Sequence, residues 1–98
     1  MKVYISGAIT GVEDHMDAFM RAEKMLIEQG HEVINPAKVG KMLPESTKHE
    51  EYMLVSYALM ELCEAVYFLS GWQQSKGCNQ EYGFAVGRGL PRFFEAKE

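Results

Sequence analysis

The stretch that most constrains this chain runs from Ala65 to Gly89, AVYFLSGWQQSKGCNQEYGFAVGRG. It opens on five apolar residues, Ala65 to Leu69, too few to show a helical period and rich in strand-favouring side chains. A polar, glycine-containing turn, Ser70 to Gly77, comes next, and Cys78 to Val86 then reads as helix. A buried strand, a polar loop and a helix make half of a βαβ unit. In open parallel sheets the C-terminal end of such a strand is where ligands bind. Ser75, Lys76 and Gly77 stand just ahead of the helix, where free backbone N–H groups and the helix dipole favour an anion. Glu81 lies about one turn further in. Strand, anion-friendly loop and carboxylate together suit a phosphorylated or ribosyl ligand.

The rest of the chain repeats the alternation. Lys2 to Ser6 reads as a first strand, followed at once by Gly7-Ala8-Ile9-Thr10-Gly11, a loop whose small residues let backbone approach a ligand closely. Its GxxxG spacing is not the GxGxxG of dinucleotide sites, and a plain strand-to-helix turn is the alternative. Asp14 is placed to cap a helix running to Gln29, stopped by Gly30, with Phe19, Ala22 and Leu26 facing the sheet. His31 to Ile34 is a short second strand ending at Asn35-Pro36, which puts Asn35 either on the ligand side or in a simple turn. Residues 37–46 show no period and read as a loop or lid. Thr47 with Glu50 matches a capping box for a helix whose apolar stripe is Tyr52, Val55, Leu59 and Leu62. Glu50, Glu51 and Glu61 form its solvated face. Glu64, at the wrong end of the third strand for a crevice, reads as structural. Leu90 to Phe94 is a fourth strand and Glu95 to Glu98 a charged tail. The order predicts an α/β fold over a single domain, residues 1–98. The expected architecture is a three-layer flavodoxin- or Rossmann-like parallel sheet of four to five strands with helices on both faces. Exposed sheet edges predict a homo-oligomer, a dimer or higher.

Composition narrows the function classes. A chain of 98 residues buries roughly 60–65% of its unfolded surface, enough for a modest core. The net charge of −4 argues against a nucleic-acid partner, which needs a basic face, but leaves room for a small anionic ligand. No apolar run approaches the ~20 residues of a membrane span, so a cytoplasmic location without membrane attachment is expected. Cys63 and Cys78 lack metal-like spacing, and His15, His31 and His49 are drawn together by no motif. The expectation is no metal and no cofactor.

Three segments together resemble the nucleoside 2-deoxyribosyltransferase superfamily: Tyr4-Ile5-Ser6-Gly7-Ala8-Ile9-Thr10-Gly11, the Gly30…Val33…Asn35-Pro36 segment, and Ser75-Lys76-Gly77-Cys78-Asn79-Gln80-Glu81-Tyr82-Gly83-Phe84-Ala85. The last is similar to an S/D-x-G-x-x-x-E-x-G-x-A signature. With Gly71-Trp72 ahead of Ser75, nearly the whole chain is most similar to a small family common in phage and prophage genomes. Such an origin would place it in the host cytoplasm. The resemblance implies that Glu81 attacks C1′ of a deoxyribosyl unit and releases the base, a step suited to a carboxylate because the transition state is oxocarbenium-like. It implies that Tyr4 orients Glu81 and that Gly7, Ala8 and Thr10 approach the sugar. Trp72 is either a lid over the base or a subunit-interface residue.

Two departures shape the expectation. Ser75 stands where transferases carry an aspartate. The related deoxynucleoside 5′-monophosphate N-hydrolases place a phosphate-binding serine there, which favours a 5′-monophosphate. Ser56 stands where a helix aspartate is expected, and Thr10 where the hydrolases have arginine. The expected function is therefore N-glycosidic cleavage of, or deoxyribosyl transfer from, a nucleoside or nucleoside 5′-monophosphate. Glu81 and Tyr4 are its catalytic candidates, and Gly7, Ala8, Thr10, Asn35, Ser75, Lys76 and Gly77 its binding candidates. Other readings stay open: a non-catalytic binder of nucleotides or nucleotide-derived signals, such as a phage accessory or counter-defence protein; a structural oligomer with no ligand; a Glu81 that merely pairs with Arg88 or Lys76; a Ser75 that is a plain helix N-cap; and a Tyr4 that is a core aromatic of the first strand.

Overall fold

The computed structural model describes residues 1–9 and 11–96. Strands β1 (Lys2–Ser6), β2 (Glu32–Ile34), β3 (Ala65–Phe68) and β4 (Arg92–Phe94) form one sheet in the order β2-β1-β3-β4, with every neighbouring pair parallel. Helices α1 (His15–Glu28), α2 (Pro36–Gly40), α3 (His49–Glu61) and α4 (Lys76–Arg88) connect them. This is the expected flavodoxin-like architecture, with four strands among the described residues.

The register explains the burial. Val3 pairs with Ala65 and Ile5 with Tyr67, so these four share one face. There Val3, Ile5 and Ala65 pack with Phe19, Ala22 and Leu26 of α1, the residues the helical period predicts. Tyr4 and Ser6 point the other way, beside Val66 and Phe68, onto the face covered by α3 and α4. Central parallel strands covered on both sides have no solvated face, which is why β1 carries no polar alternation. On the α3/α4 side, Trp72 stacks on Tyr82 with ring centroids 5.0 Å apart, and both pack on Phe68, as does Phe94. Trp72 thus belongs to an aromatic cluster within its own chain.

Several local expectations are corrected. Residues 37–46 are not all loop, because Asn35 Oδ1 accepts a hydrogen bond from Ala37 N (3.0 Å) and Pro36 opens the five-residue helix α2. So short a helix has no room to display an apolar period. The capping interaction at α3 lies one residue later than expected: Lys48 N donates to Glu51 Oε1 at 2.8 Å. The predicted α3 stripe is out of phase. Met53 and Met60 are buried, whereas Tyr52 and Leu62 are 37% and 61% exposed. Asp14 precedes α1 without capping it through its side chain, and α4 begins at Lys76 rather than Cys78. Glu61 is paired with Arg88. Glu64 is structural as expected, its Oε1 accepting from Lys2 N at 2.9 Å. Part of the charged tail, Lys97 and Glu98, lies outside the described residues.

Gly7 shows what closes the loop after β1. A Cβ there would stand 2.5 Å from Leu69 Cδ1 and 2.9 Å from Phe19 Cζ, both on buried side chains. The core therefore demands glycine at this position before any ligand does. Gly7→Ala is expected to lower stability by about 1–3 kcal/mol through overpacking, read as a lower midpoint in urea denaturation. A variant as stable as the parent would show that Leu69 and Phe19 give way freely.

Candidate active site around Glu81

Helix α4 buries Cys78, Glu81 and Ala85, the i, i+3, i+7 positions of its inner face. Glu81 is thus a carboxylate where the period calls for an apolar residue, and only 7% of it is exposed. The helix is anchored ahead of this face. Ser75 Oγ accepts from Cys78 N (3.2 Å), and Asn79 Nδ2 donates to the carbonyls of Gln73 (3.0 Å) and Ser75 (2.8 Å). The cap and the turn set the rotation of α4, which delivers Glu81 onto β1.

Two β1 side chains, on one face because they are two residues apart, receive it. Tyr4 OH donates to Glu81 Oε2 at 2.5 Å and Ser6 Oγ donates to Oε1 at 2.6 Å. Burial raises the Glu81 pKa above the ordinary carboxylate value. Hydrogen bonds from Ser6 and Tyr4 oppose that rise, as do the nearby Ser56 hydroxyl and the positive charge of His49. Burial, followed by the neighbouring carboxylate, pushes the Tyr4 phenol well above its own ordinary value and keeps it a donor at neutral pH. Among the described residues no Lys or Arg pairs with Glu81, since Arg88 is taken by Glu61. Each carboxylate oxygen accepts one hydroxyl and keeps a lone pair. A rigid, weakly solvated carboxylate of this kind can add to an electrophilic carbon, stabilise an adjacent cation or exchange a proton nearer neutrality.

Other candidates fall into place unevenly. Gly7 and Ala8 follow Ser6 directly and are half-buried, while Thr10 lies outside the described residues. Ser75 and Gly77 are half-buried at the start of α4, and Lys76 is exposed. Asn35 is buried and already engaged as the α2 cap. A cleft of about 680 Å³ at the C-terminal ends of β3 and β4 is lined by Ser70 to Gln74, Phe94 and Glu95, and Glu81 is not on its wall. No three His, Cys, Asp or Glu side chains group as metal ligands among the described residues.

Two neighbours, Ser6 and His49, escaped the sequence reading, whereas Ser56 was named there as standing in place of an expected aspartate. Ser6 is legible in hindsight as the partner of Tyr4 at period two. His49 and Ser56 belong to the true inner phase of α3, positions 49, 53, 56 and 60, at i, i+4, i+7 and i+11. Near His49 the packing is close: a Cβ on Gly77 would lie 3.7 Å from His49 Cε1, 3.6 Å from Met53 Sδ and 3.9 Å from Ser75 Oγ. His49 Nε2 is also 2.7 Å from Gln80 Oε1.

A family model described as "Domain of unknown function (DUF4406)" matches residues 1–92. Among solved structures, the chain is similar to a 2-deoxyribosyltransferase from the psychrotolerant bacterium Bacillus psychrosaccharolyticus. That likeness has a TM-score of 0.75 and 17% identity, and covers 100% of this chain and 77% of the other. At that identity the likeness is one of fold. No curated protein matches the chain.

The buried carboxylate makes stability depend on pH in a definite direction. With its folded pKa raised, Glu81 binds its proton more tightly folded than unfolded. It therefore lowers stability as pH climbs from the ordinary carboxylate range through the raised value. Glu81→Gln is expected to melt higher than the parent at neutral pH, the gap closing as pH falls below about 4, the unperturbed value. Thermal melts across pH test this. A Gln variant that melts lower at neutral pH would mean the two hydroxyls outweigh the cost of burial.

Proposed function

The chain belongs to the DUF4406 family, and we propose that this member cleaves the N-glycosidic bond of a nucleoside 5′-monophosphate, or transfers its deoxyribosyl unit, through Glu81. One observation carries the reading: a buried carboxylate, paired with no cation among the described residues and held by Tyr4 and Ser6 at the C-terminal edge of a parallel sheet. The fold likeness to a 2-deoxyribosyltransferase supports it.

In this reading a lone pair on a Glu81 oxygen forms a bond to C1′ as the bond from C1′ to the base nitrogen breaks. The leaving base takes that electron pair and then a proton. The resulting glycosyl ester is opened at C1′ by water or a second base, which restores the carboxylate. Tyr4 and Ser6 hold both oxygens still, so the attacking atom needs no reorganisation. Ser75, Lys76 and Gly77, at the start of α4, take the 5′-phosphate. Gly7 and Ala8 border the sugar. Ser56, where an aspartate is expected from the resemblance, contributes only a hydroxyl toward Glu81.

A second reading, a nucleotide binder without turnover, is favoured by one observation. Both Glu81 oxygens are already hydrogen-bonded and the residue is 7% exposed, so a sugar carbon reaches it only by displacing what covers it. Incubation with deoxynucleosides and their 5′-monophosphates, with chromatography for free base, separates the two. The expected result is base release that is faster from the monophosphate and falls about 10³-fold or more in Glu81→Ala. Thermal stabilisation by the monophosphate with no base released would replace the enzyme by the binder.

Two further outcomes refine the site. Tyr4→Phe removes a charged hydrogen bond of about 1.5–3 kcal/mol and is expected to slow turnover about 10–100-fold. The acid limb of the rate profile is expected above the ordinary carboxylate range, because burial raises Glu81. His49→Gln should move it higher still by removing a charge that lowers it. A limb unchanged in that variant would detach His49 from the site.

A further inference from the structure

The Gly71-Trp72 pair is the sequence motif that the Glu81 site leaves unused. Gly71 stands at φ 87°, a left-handed backbone that favours glycine, and turns the chain out of β3 into a 3₁₀ turn, Trp72–Gln74. Together with Phe94 and Glu95, that turn walls the cleft of about 680 Å³ at the C-terminal ends of β3 and β4. A cleft of this volume holds small organic ligands, and Glu81 is not on its wall.

We propose that this cleft is a second binding site, separate from Glu81, for a planar, amino-substituted heteroaromatic ring of nucleobase size. Three features of the wall select that chemistry. The first is stacking surface. Trp72 and Phe94 lie with ring centroids 5.7 Å apart at an interplanar angle of 33°. Trp72 is itself stacked on Tyr82, and Phe94 on Phe68, so both rings are oriented before a ligand arrives. Phe94 nevertheless stays 50% exposed, and a large apolar ring left in water gains by being covered.

The second feature is a pair of side-chain amides. Gln73 and Gln74 are exposed, and their backbone groups are engaged elsewhere. Gln73 O accepts from Asn79 Nδ2 (3.0 Å), and Gln74 N donates to Gly71 O (3.2 Å). The side chains are left to the cleft, each with a carbonyl acceptor and an NH₂ donor. A glutamine amide forms two hydrogen bonds with the amino group and adjacent ring nitrogen of adenine, which is the edge such a ring would present.

The third feature is charge. Among the described residues the wall carries one carboxylate, Glu95, and no lysine or arginine. Glu95 Oε1 accepts from Ser70 N (2.9 Å), and its Oε2 meets Arg21, from outside the wall, at 3.4 Å. The wall is therefore neutral to negative. That disfavours a phosphate or carboxylate and suits a neutral or protonated ring. The cleft differs in this from the start of α4, where Lys76 stands. The proposal is independent of the reaction assigned to Glu81.

The chain has one tryptophan, so its nitrogen–proton correlation spectrum carries a single indole N–H signal, from Trp72. Adenine added to the whole protein is expected to shift that signal saturably, together with the backbone amides of residues 70–74. Benzoate, a planar ring with a negative charge and no N–H donor, is expected to bind at least about tenfold more weakly. Gln73→Ala/Gln74→Ala should weaken adenine by about the same factor. Both positions are exposed, and the unchanged remainder of the spectrum checks that the variant folds. Absence of a saturable shift with adenine, equal affinity for benzoate, or a double variant that binds adenine as the parent does would each overturn the proposal.

Discussion

The hydrogen bonds from Tyr4 and Ser6 to Glu81 tie the first strand to the last helix across 75 or more residues of sequence. A carboxylate in this position is costly to bury, and it stays there because both oxygens accept a hydroxyl hydrogen bond, at 2.5 and 2.6 Å. The tie does more than satisfy charge. It locks the rotation of α4 about its axis, since turning Glu81 away would leave Tyr4 and Ser6 buried without acceptors. The Ser75 cap and the Asn79 anchors fix the same helix at its N-terminal end, about one turn before Glu81. Strand and helix are thus held in one relative placement by groups that also make up the candidate site.

The sheet order sets where that site lies. Because β1 is central, the chain leaves it toward β2 through α1 on one face and returns to β3 through α3 on the other. The loops after β1 and β3 therefore lead to helices on opposite faces, the topology at which open parallel sheets bind ligands. Gly7 lies at the start of one loop and Ser70 at the start of the other. The packing of Leu69 and Phe19 against Gly7 draws these segments together. The same glycine thus serves the core and keeps side-chain bulk out of the loop nearest the strand end.

The polar interactions divide by location. Arg21–Glu95, Lys38–Glu23 and Arg88–Glu61 lie at the periphery with well-exposed cations, where such pairs contribute about 1 kcal/mol or less. Inside, the work is done by neutral hydroxyls around one carboxylate. This arrangement leaves Glu81 with a raised pKa and spare lone pairs, whereas a bound arginine would have lowered the pKa and occupied the oxygens. Helix α3 joins the two regions, with Met53 and Met60 buried, His49 beside Gln80 of α4, and Leu54 and Ala58 exposed.

Much of the fold was readable before any coordinates. The alternation of short apolar runs with amphipathic stretches, punctuated at Gly30 and Gly89, determined the order of strands and helices, because two-residue and 3.6-residue periods are local properties. Glu81 was readable too, as a carboxylate about one turn beyond the anion-friendly loop that follows the third strand. The phase of α3 was not, since Tyr52-Val55-Leu59-Leu62 and Met53-Met60 are both acceptable helical stripes and only the neighbouring elements choose between them. Tertiary structure also decided that Asn35 caps a helix, that Arg88 serves Glu61, and that Ser6, Ser56 and His49 gather at Glu81. These facts concern groups far apart in the chain, and no local period encodes a distance between segments that meet only when the sheet closes.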